Sequence, residues 1–179
     1  IDVIATPNSI CPGELVQLNV NIIQGGIPPY TIYNSNGLVV VPPVNISPTG
    51  SGLQWIYVED GCGSTAHDSV YITVNGLPQA NFVSDTTQGC EPLTVAFTPM
   101  NPQLGQTYYW NFDDASYNQV SYDINPIHQF SQDGIYDVSL TVTNASGCST
   151  TYTHNQMINV YPNPNASFIT DPISVSIVK

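Results

Sequence analysis

Few residues in this chain could do chemistry. The 179 residues include three histidines (His67, His128 and His154), four cysteines (Cys11, Cys62, Cys90 and Cys148) and 13 acids against one base, Lys179. Nucleophilic catalysis needs a nucleophile, a base and an orienting group within reach of one another. No nucleophile elbow, H-E-x-x-H pair or phosphate loop occurs in the sequence. The expectation is therefore a chain that is not an enzyme. His67 and His154, each near a late cysteine, read as surface or strand-edge residues. The adjacent carboxylates Asp113 and Asp114 are the candidate metal ligands, because calcium prefers several hard oxygens. No D-x-D-x-D-G loop accompanies them, so a solvated turn is the plainer reading, and the expected cofactor is none, with calcium as the one candidate. Tyr108, Tyr109, Tyr117 and Tyr122 surround Trp110. They form a candidate contact surface for a glycan or a protein, with ordinary half-buried strand surface as the bland reading.

No two cysteines form a C-x-x-C pair, which argues against a zinc knuckle. An even number in an arginine-free chain rich in Tyr, Asn and Thr points to disulfides and an oxidising compartment. Four cysteines allow three connectivities, and spacing alone does not choose among them.

The formal net charge is -12. Binding a phosphate backbone requires Lys and Arg, so nucleic acid is excluded as a partner. Polybasic contact with anionic lipid is excluded for the same reason. Hydrophobic residues make up 41% of the chain, enough to build cores despite the acidity. No run of about 18 apolar residues is present, so no membrane insertion is expected. Ile1-Asp2-Val3 lacks the basic start of a signal peptide, and any export signal is expected outside this sequence.

The elements that must position these residues repeat. Cys11-Pro12-Gly13-Glu14-Leu15-Val16-Gln17-Leu18 reads like Cys90-Glu91-Pro92-Leu93-Thr94-Val95-Ala96-Phe97, and Asp60-Gly61-Cys62-Gly63-Ser64-Thr65 reads like Ser146-Gly147-Cys148-Ser149-Thr150-Thr151. Each repeat thus holds one early and one late cysteine. Pairing within each repeat gives Cys11–Cys62 and Cys90–Cys148. Each such bridge closes a loop of about 50–60 residues, worth about 4 kcal/mol in a chain-entropy model. Boundaries near Asn75-Gly76-Leu77-Pro78 and Tyr161-Pro162-Asn163-Pro164 give modules at 1–76 and 77–161, with 162–179 as a linker and the start of a third. The alternative is that this tail is a terminal strand of the second module. Short proline-bearing linkers suggest a semi-rigid rod. Period-2 alternation dominates, as in Val138, Leu140 and Val142 against Ser139, Thr141 and Thr143. Turn residues recur about every 8–12 positions, and no convincing helix is present, so the fold class is all-β.

Three segments carry a resemblance. They are Trp110-Asn111-Phe112-Asp113-Asp114-Ala115, Asn125-Pro126-Ile127-His128-Gln129-Phe130, and Gly134-Ile135-Tyr136-Asp137-Val138-Ser139-Leu140-Thr141-Val142-Thr143-Asn144. In this order they resemble the polycystic-kidney-disease-type (PKD) domain, an immunoglobulin-like β-sandwich. Asp113-Asp114-Ala115 departs from the family's glycine-aspartate-glycine turn and puts that turn's geometry in question. In the first module, Gly25-Gly26-Ile27-Pro28-Pro29-Tyr30-Thr31 and Glu59-Asp60-Gly61-Cys62 resemble immunoglobulin-like or PKD-like repeats of very large Bacteroidota surface proteins, of the gliding-motility and adhesin type. The resemblance implies tandem sandwiches, a structural His128 and Tyr136, and Trp110 as a core tryptophan near a Cys90–Cys148 bridge, with Trp55 in a similar role. A sugar platform is the sharper alternative for the tryptophans. It also implies calcium at the Asp113-Asp114 turn in some members, O-glycosylation at Ser69 and Thr86 within D-S/T-x tripeptides, and export by type IX secretion. The expected function is a stalk or display module of an adhesin, at the bacterial cell surface or secreted. Its partners would be neighbouring repeats, the secretion machinery and a surface glycan or protein. The alternatives are an accessory binding module of a secreted hydrolase and a secretion cargo segment.

Overall fold

The computed structural model describes residues 1–22, 24–115 and 119–166. The strand expected after Pro164 falls largely on 167–179, and Tyr117 on 116–118, both outside the described residues. Every regular element among the described residues is a strand.

The strands form two sets of eight with the same order. The first set is β1 (Asp2–Thr6), β2 (Ser9–Ile10), β3 (Val16–Asn21), β4 (Thr31–Asn34), β5 (Val39–Val40), β6 (Val44–Ile46), β7 (Gly52–Glu59) and β8 (Thr65–Val74). The second is β9 (Phe82–Ser84), β10 (Gln88–Cys90), β11 (Leu93–Pro99), β12 (Thr107–Asn111), β13 (Val120–Ser121), β14 (Ile127–Phe130), β15 (Gly134–Thr143) and β16 (Ser149–Tyr161). Three-stranded sheets β1-β3-β6 and β9-β11-β14 accompany five-stranded sheets β2-β8-β7-β4-β5 and β10-β16-β15-β12-β13. Strand n of the first set thus corresponds to strand n+8 of the second.

In the first set, Val3, Val16 and Leu18 of the small sheet meet Ile10, Ile56, Val58 and Ile72 of the large one in a single buried cluster. Burying side chains of this kind contributes about 1.5–3 kcal/mol each. Alternation assigns the faces: Ile56 and Val58 point inward, while Leu53, Trp55 and Tyr57 point away. Asp68 fastens the small sheet to the large one: its Oδ2 accepts the Val3 N–H at 2.9 Å and its Oδ1 accepts the Ser69 N–H at 2.8 Å.

In the second set the core is aromatic. Phe82 and Phe97 of the small sheet lie 5.0 and 5.7 Å from Trp110 of the large one, between ring centroids. Trp110 is fully buried, and its indole N–H donates to the Asp123 carbonyl at 2.9 Å, as a buried indole requires.

By compactness the chain divides differently from its sheets. One unit is Ile1–Ala80 with Asn101–Tyr108 and Thr141–Thr151, and the other is Asn81–Met100, Tyr109–Leu140 and Tyr152–Lys179. We take the sheet order as the record of the repeat. The 141–151 hairpin counts with the first unit because side chains of that hairpin are tied to Cys11 and Gly76, as described below.

The N–H groups of Ser69 and Val3 hold the Asp68 carboxyl below its ordinary range against a small opposing desolvation. A depressed carboxyl stabilises the fold fully above its unfolded value and loses that contribution as pH falls through the folded one. Thermal unfolding between pH 7 and pH 2 should therefore show stability falling below about pH 4. The Asp68→Asn variant should show a flatter acid limb than the parent.

Candidate functional site

One local motif recurs three times. In Asn34–Leu38, Asp60–Ser64 and Asn144–Cys148, the first side chain caps a tight hairpin. Asn34 Oδ1 accepts from the N–H groups of Asn36 and Leu38, each at 3.0 Å. Asp60 Oδ1 accepts from Cys62 at 3.0 Å and Ser64 at 2.8 Å. Asn144 Oδ1 accepts from Ser146 and Cys148, each at 3.0 Å. The fourth residue is glycine each time, with φ of 76°, 80° and 85° at Gly37, Gly63 and Gly147. The bulged hairpin needs that left-handed conformation, which a Cβ disfavours. These N–H donors, Ser64 first and then Ile27, hold the Asp60 carboxyl below its usual range. Asp60 Oδ2 accepts the Ile27 N–H, and the Gly61 N–H donates to the Ile27 carbonyl, so the two first-module motifs meet here.

The disulfide joins Cys11 to Cys148, with Cα atoms 5.5 Å apart, and leaves Cys62 and Cys90 as exposed free thiols. This corrects the expected Cys11–Cys62 and Cys90–Cys148 pairs, and strand geometry supplies the reason. β2 runs parallel to the end of β8, with Ser9 opposite Thr73 and Ile10 opposite Val74. Cys11 therefore lies at the far end of β8, whereas Cys62 lies in the turn before its start. At about 3.3 Å per residue, the ten-residue β8 separates them by about 30 Å. Likewise Cys90 lies opposite Tyr161 at the end of the thirteen-residue β16, and Cys148 lies just before its start, about 40 Å away. A disulfide needs Cα atoms within about 7 Å, so neither internal pair is reachable. Beside the bridge, Asn144 Nδ2 donates to the Gly76 carbonyl at 2.8 Å. Asn144-Ala145-Ser146-Gly147 reads from its sequence as a hairpin turn with a left-handed glycine, as Gly147 is, but the Asn144 contact with Gly76 was not foreseen. Its signal was the thrice-repeated Asx-x-x-Gly spacing rather than the cysteine spacing.

The second cluster surrounds His128. Its Nε2 lies 2.7 Å from Asp114 Oδ2, with the two side chains 5% and 3% exposed. The imidazole stacks on Phe112 at 4.1 Å and meets Phe130 edge-on at 4.7 Å. Tyr136 lies 4.7 Å from Phe130, and its hydroxyl donates to the Gln132 carbonyl at 2.9 Å. Burial, with the charges of Asp114, Asp133 and Glu91, pushes the Tyr136 phenol up. His128 is thus a packed, paired core residue. Asp113 and Ala115, standing where the family has glycines, both take φ of 52°. The turn keeps its left-handed shape without glycine, although the left-handed region costs alanine roughly 1–2 kcal/mol.

Calcium takes six to eight oxygens. Asp114 is turned onto His128, and the Asn111 side-chain oxygen accepts the Asp113 N–H. No group of three or more His, Cys, Asp or Glu residues suited to a metal occurs among the described residues.

Of the three candidate tyrosines among the described residues, Tyr108 does not share a surface with Tyr109 and Tyr122. Tyr108 is buried with its hydroxyl on Gln106, because it alternates with Tyr109 along β12. Tyr109 and Tyr122 pair outside, with rings 5.6 Å apart. Trp55 is likewise corrected. It is half-buried on the outward face of β7, with its ring 5.7 Å from His67, which also lies 5.8 Å from Tyr57. Tyr33 opposite Tyr57, and Leu53 opposite Tyr71, extend this face. His154 is exposed, near the Asn155 carbonyl. Ser69 is half-buried opposite Trp55, and Thr86 donates its hydroxyl to the Gln88 carbonyl.

Asp114→Ala should destabilise the second strand set by about 2–4 kcal/mol, because it leaves a buried imidazole without its partner. Ala115→Gly should stabilise it by about 0.5–1 kcal/mol, because relief of the left-handed strain outweighs the added freedom of the unfolded chain. Urea unfolding followed by Trp110 fluorescence measures both.

No curated protein matches the chain. Among solved structures, the PKD1 domain of Vibrio anguillarum Epp is 28% identical, with 49% of this chain and 99% of that chain covered and a TM-score of 0.39. Murine CEACAM1b is 12% identical, with coverage of 89% and 98% and a TM-score of 0.40. The fibronectin(III)-like modules of Clostridium thermocellum CbhA are 11% identical, with coverage of 94% and 100% and a TM-score of 0.38. Residues 75–160, which hold all three sequence motifs and the paired Asp114 and His128, match the model of the PKD domain family.

Proposed function

We propose that this chain is a non-catalytic, load-bearing spacer segment of an exported protein, serving as a stalk that displays a binding element. The Cys11–Cys148 bridge carries this reading. Tension applied to the two chain ends enters through residues 1–11, crosses the sulfur–sulfur bond and leaves from residue 148 onward. The intervening loop, with a sequence separation of 137, is shielded from extension. In a chain-entropy model such a loop also adds about 5 kcal/mol of stability. Disulfides persist in oxidising compartments, which fits an extracellular or surface location. One Lys or Arg in the whole chain leaves trypsin-like proteases almost nothing to cut, as suits an exposed rod. Gliding motility, an adhesin identity and type IX secretion rest on the resemblance of the first-module motifs to Bacteroidota repeats. Calcium is not part of this proposal.

A second reading, an accessory glycan-binding module, is favoured by the outward row of Trp55, Tyr57 and Tyr71. Aromatic faces of this kind can stack on sugar rings through apolar contact.

Single-molecule pulling from both termini separates oxidised from reduced chain. The oxidised chain should fall short in released contour length by the 137-residue loop, about 490 Å at about 3.6 Å per residue. Equal lengths would overturn the spacer reading. On a glycan array, saturable binding that is abolished by Trp55→Ala would favour the second reading instead.

A further inference from the structure

Cys90 stands where Cys11 stands. Cys90 ends, and Cys11 directly follows, a short strand running parallel beside the final strand of its set. Gln88, Gly89 and Cys90 lie opposite Asn159, Val160 and Tyr161, as Ser9 and Ile10 lie opposite Thr73 and Val74. The supporting hydrogen bonds match: the Asn159 N–H donates to Thr87 O and the Thr73 N–H to Asn8 O, both at 2.9 Å. Cys11 is already bridged, and its partner Cys148 is the fifth residue of an Asx-x-x-Gly hairpin turn. Cys90 is free and exposed. Its surroundings are built rather than loose. Glu91 accepts the N–H groups of Asp133 at 2.9 Å and Asn163 at 3.2 Å, and its carbonyl accepts the Asn163 side-chain amide at 2.7 Å. The other free thiol, Cys62, occupies the third position of the equivalent turn, Asp60–Ser64. The chain therefore carries one free cysteine at the early position and one in an Asx-x-x-Gly turn, there at the third position instead of the fifth.

We propose that Cys90 is the receiving half of a second staple, whose partner is the cysteine of an Asx-x-x-Gly hairpin turn on another repeat of this kind. The join is heterologous, early-type cysteine to turn cysteine, so it propagates head to tail. An adjacent repeat and a second copy of this chain share that chemistry, and with this chain alone the partner is a second copy's Cys62. The bond forms by thiol–disulfide exchange with a small disulfide such as oxidised glutathione. The Cys90 thiolate attacks it and releases one glutathione thiol. The Cys62 thiolate of the second copy then attacks the Cys90 sulfur and releases the other. Two electrons pass to glutathione, and the two cysteine protons end on its thiols.

The test mixes single-thiol variants in a glutathione redox buffer and resolves the products by intact mass and non-reducing peptide mapping. The receiver is Cys62→Ser, which keeps Cys90. One donor is Cys90→Ser, which keeps Cys62. A second donor, Cys62→Ser with Ser64→Cys and Cys90→Ser, moves the thiol to the fifth turn position that Cys148 occupies. Random oxidation of two such thiols gives heterodimer as about half of all dimer, with no preference for a heterologous join. The proposal expects a heterodimer-to-homodimer ratio about tenfold above that statistical value with at least one donor, and a concentration-dependent yield. A statistical ratio or no dimer with both donors overturns it. So does a Cys62–Cys90 bridge within one copy of the parent chain.

Discussion

The covalent arrangement of this chain depends on two short parallel pairings. β2 lies beside the end of β8, and β10 beside the end of β16. A parallel neighbour leaves its partner strand in the same direction, so the cysteine that follows it lies at the end of the last strand. The late cysteine sits in the turn that begins that strand. Strand length then sets the distance between them, and no backbone movement short of unfolding closes about 30–40 Å to a sulfur–sulfur bond. The consequence is that a repeat of this design cannot staple itself. Cys11 instead joins Cys148, which lies in the turn before β16.

The Asx-x-x-Gly turn makes such a join definite. One carboxyl or amide oxygen takes two N–H groups, and a glycine absorbs the left-handed bend. In the 144–148 turn the remaining amide N–H₂ is free to reach the Gly76 carbonyl. The amide makes this contact possible: the carboxylate at Asp60 has no donor to offer and instead accepts from Ile27.

With Cys148 bonded to Cys11 and Cys90 left free, no disulfide joins the two sheets of the second strand set. Its sheets are held by Phe82, Phe97 and Trp110 in mutual ring contact, and its 112–115 turn by a buried aspartate–histidine pair. The pair holds a turn whose backbone is strained at Asp113 and Ala115, both at φ of 52°.

The sequence by itself determined the all-β class, the repeat and the inward face of β15, and the motif resemblance pointed to a core Trp110 and a structural His128. Alternation and aromatic turn motifs are local, and they carry this information within a few residues. Tertiary structure alone decided the disulfide, the separation of Tyr108 from Tyr109 and the outward placement of Trp55. The disulfide depends on which strand lies beside which and in what direction, and the two facings depend on which side of β12 and β7 meets the opposite sheet. Cys11, bonded to Cys148 across a separation of 137 residues, is kept from Cys62 by a two-residue parallel pairing too short to show in any hydrophobic pattern. Trp55 faces outward because Ile56 and Val58, its alternating neighbours on β7, already fill the inward face against Val16 and Leu18.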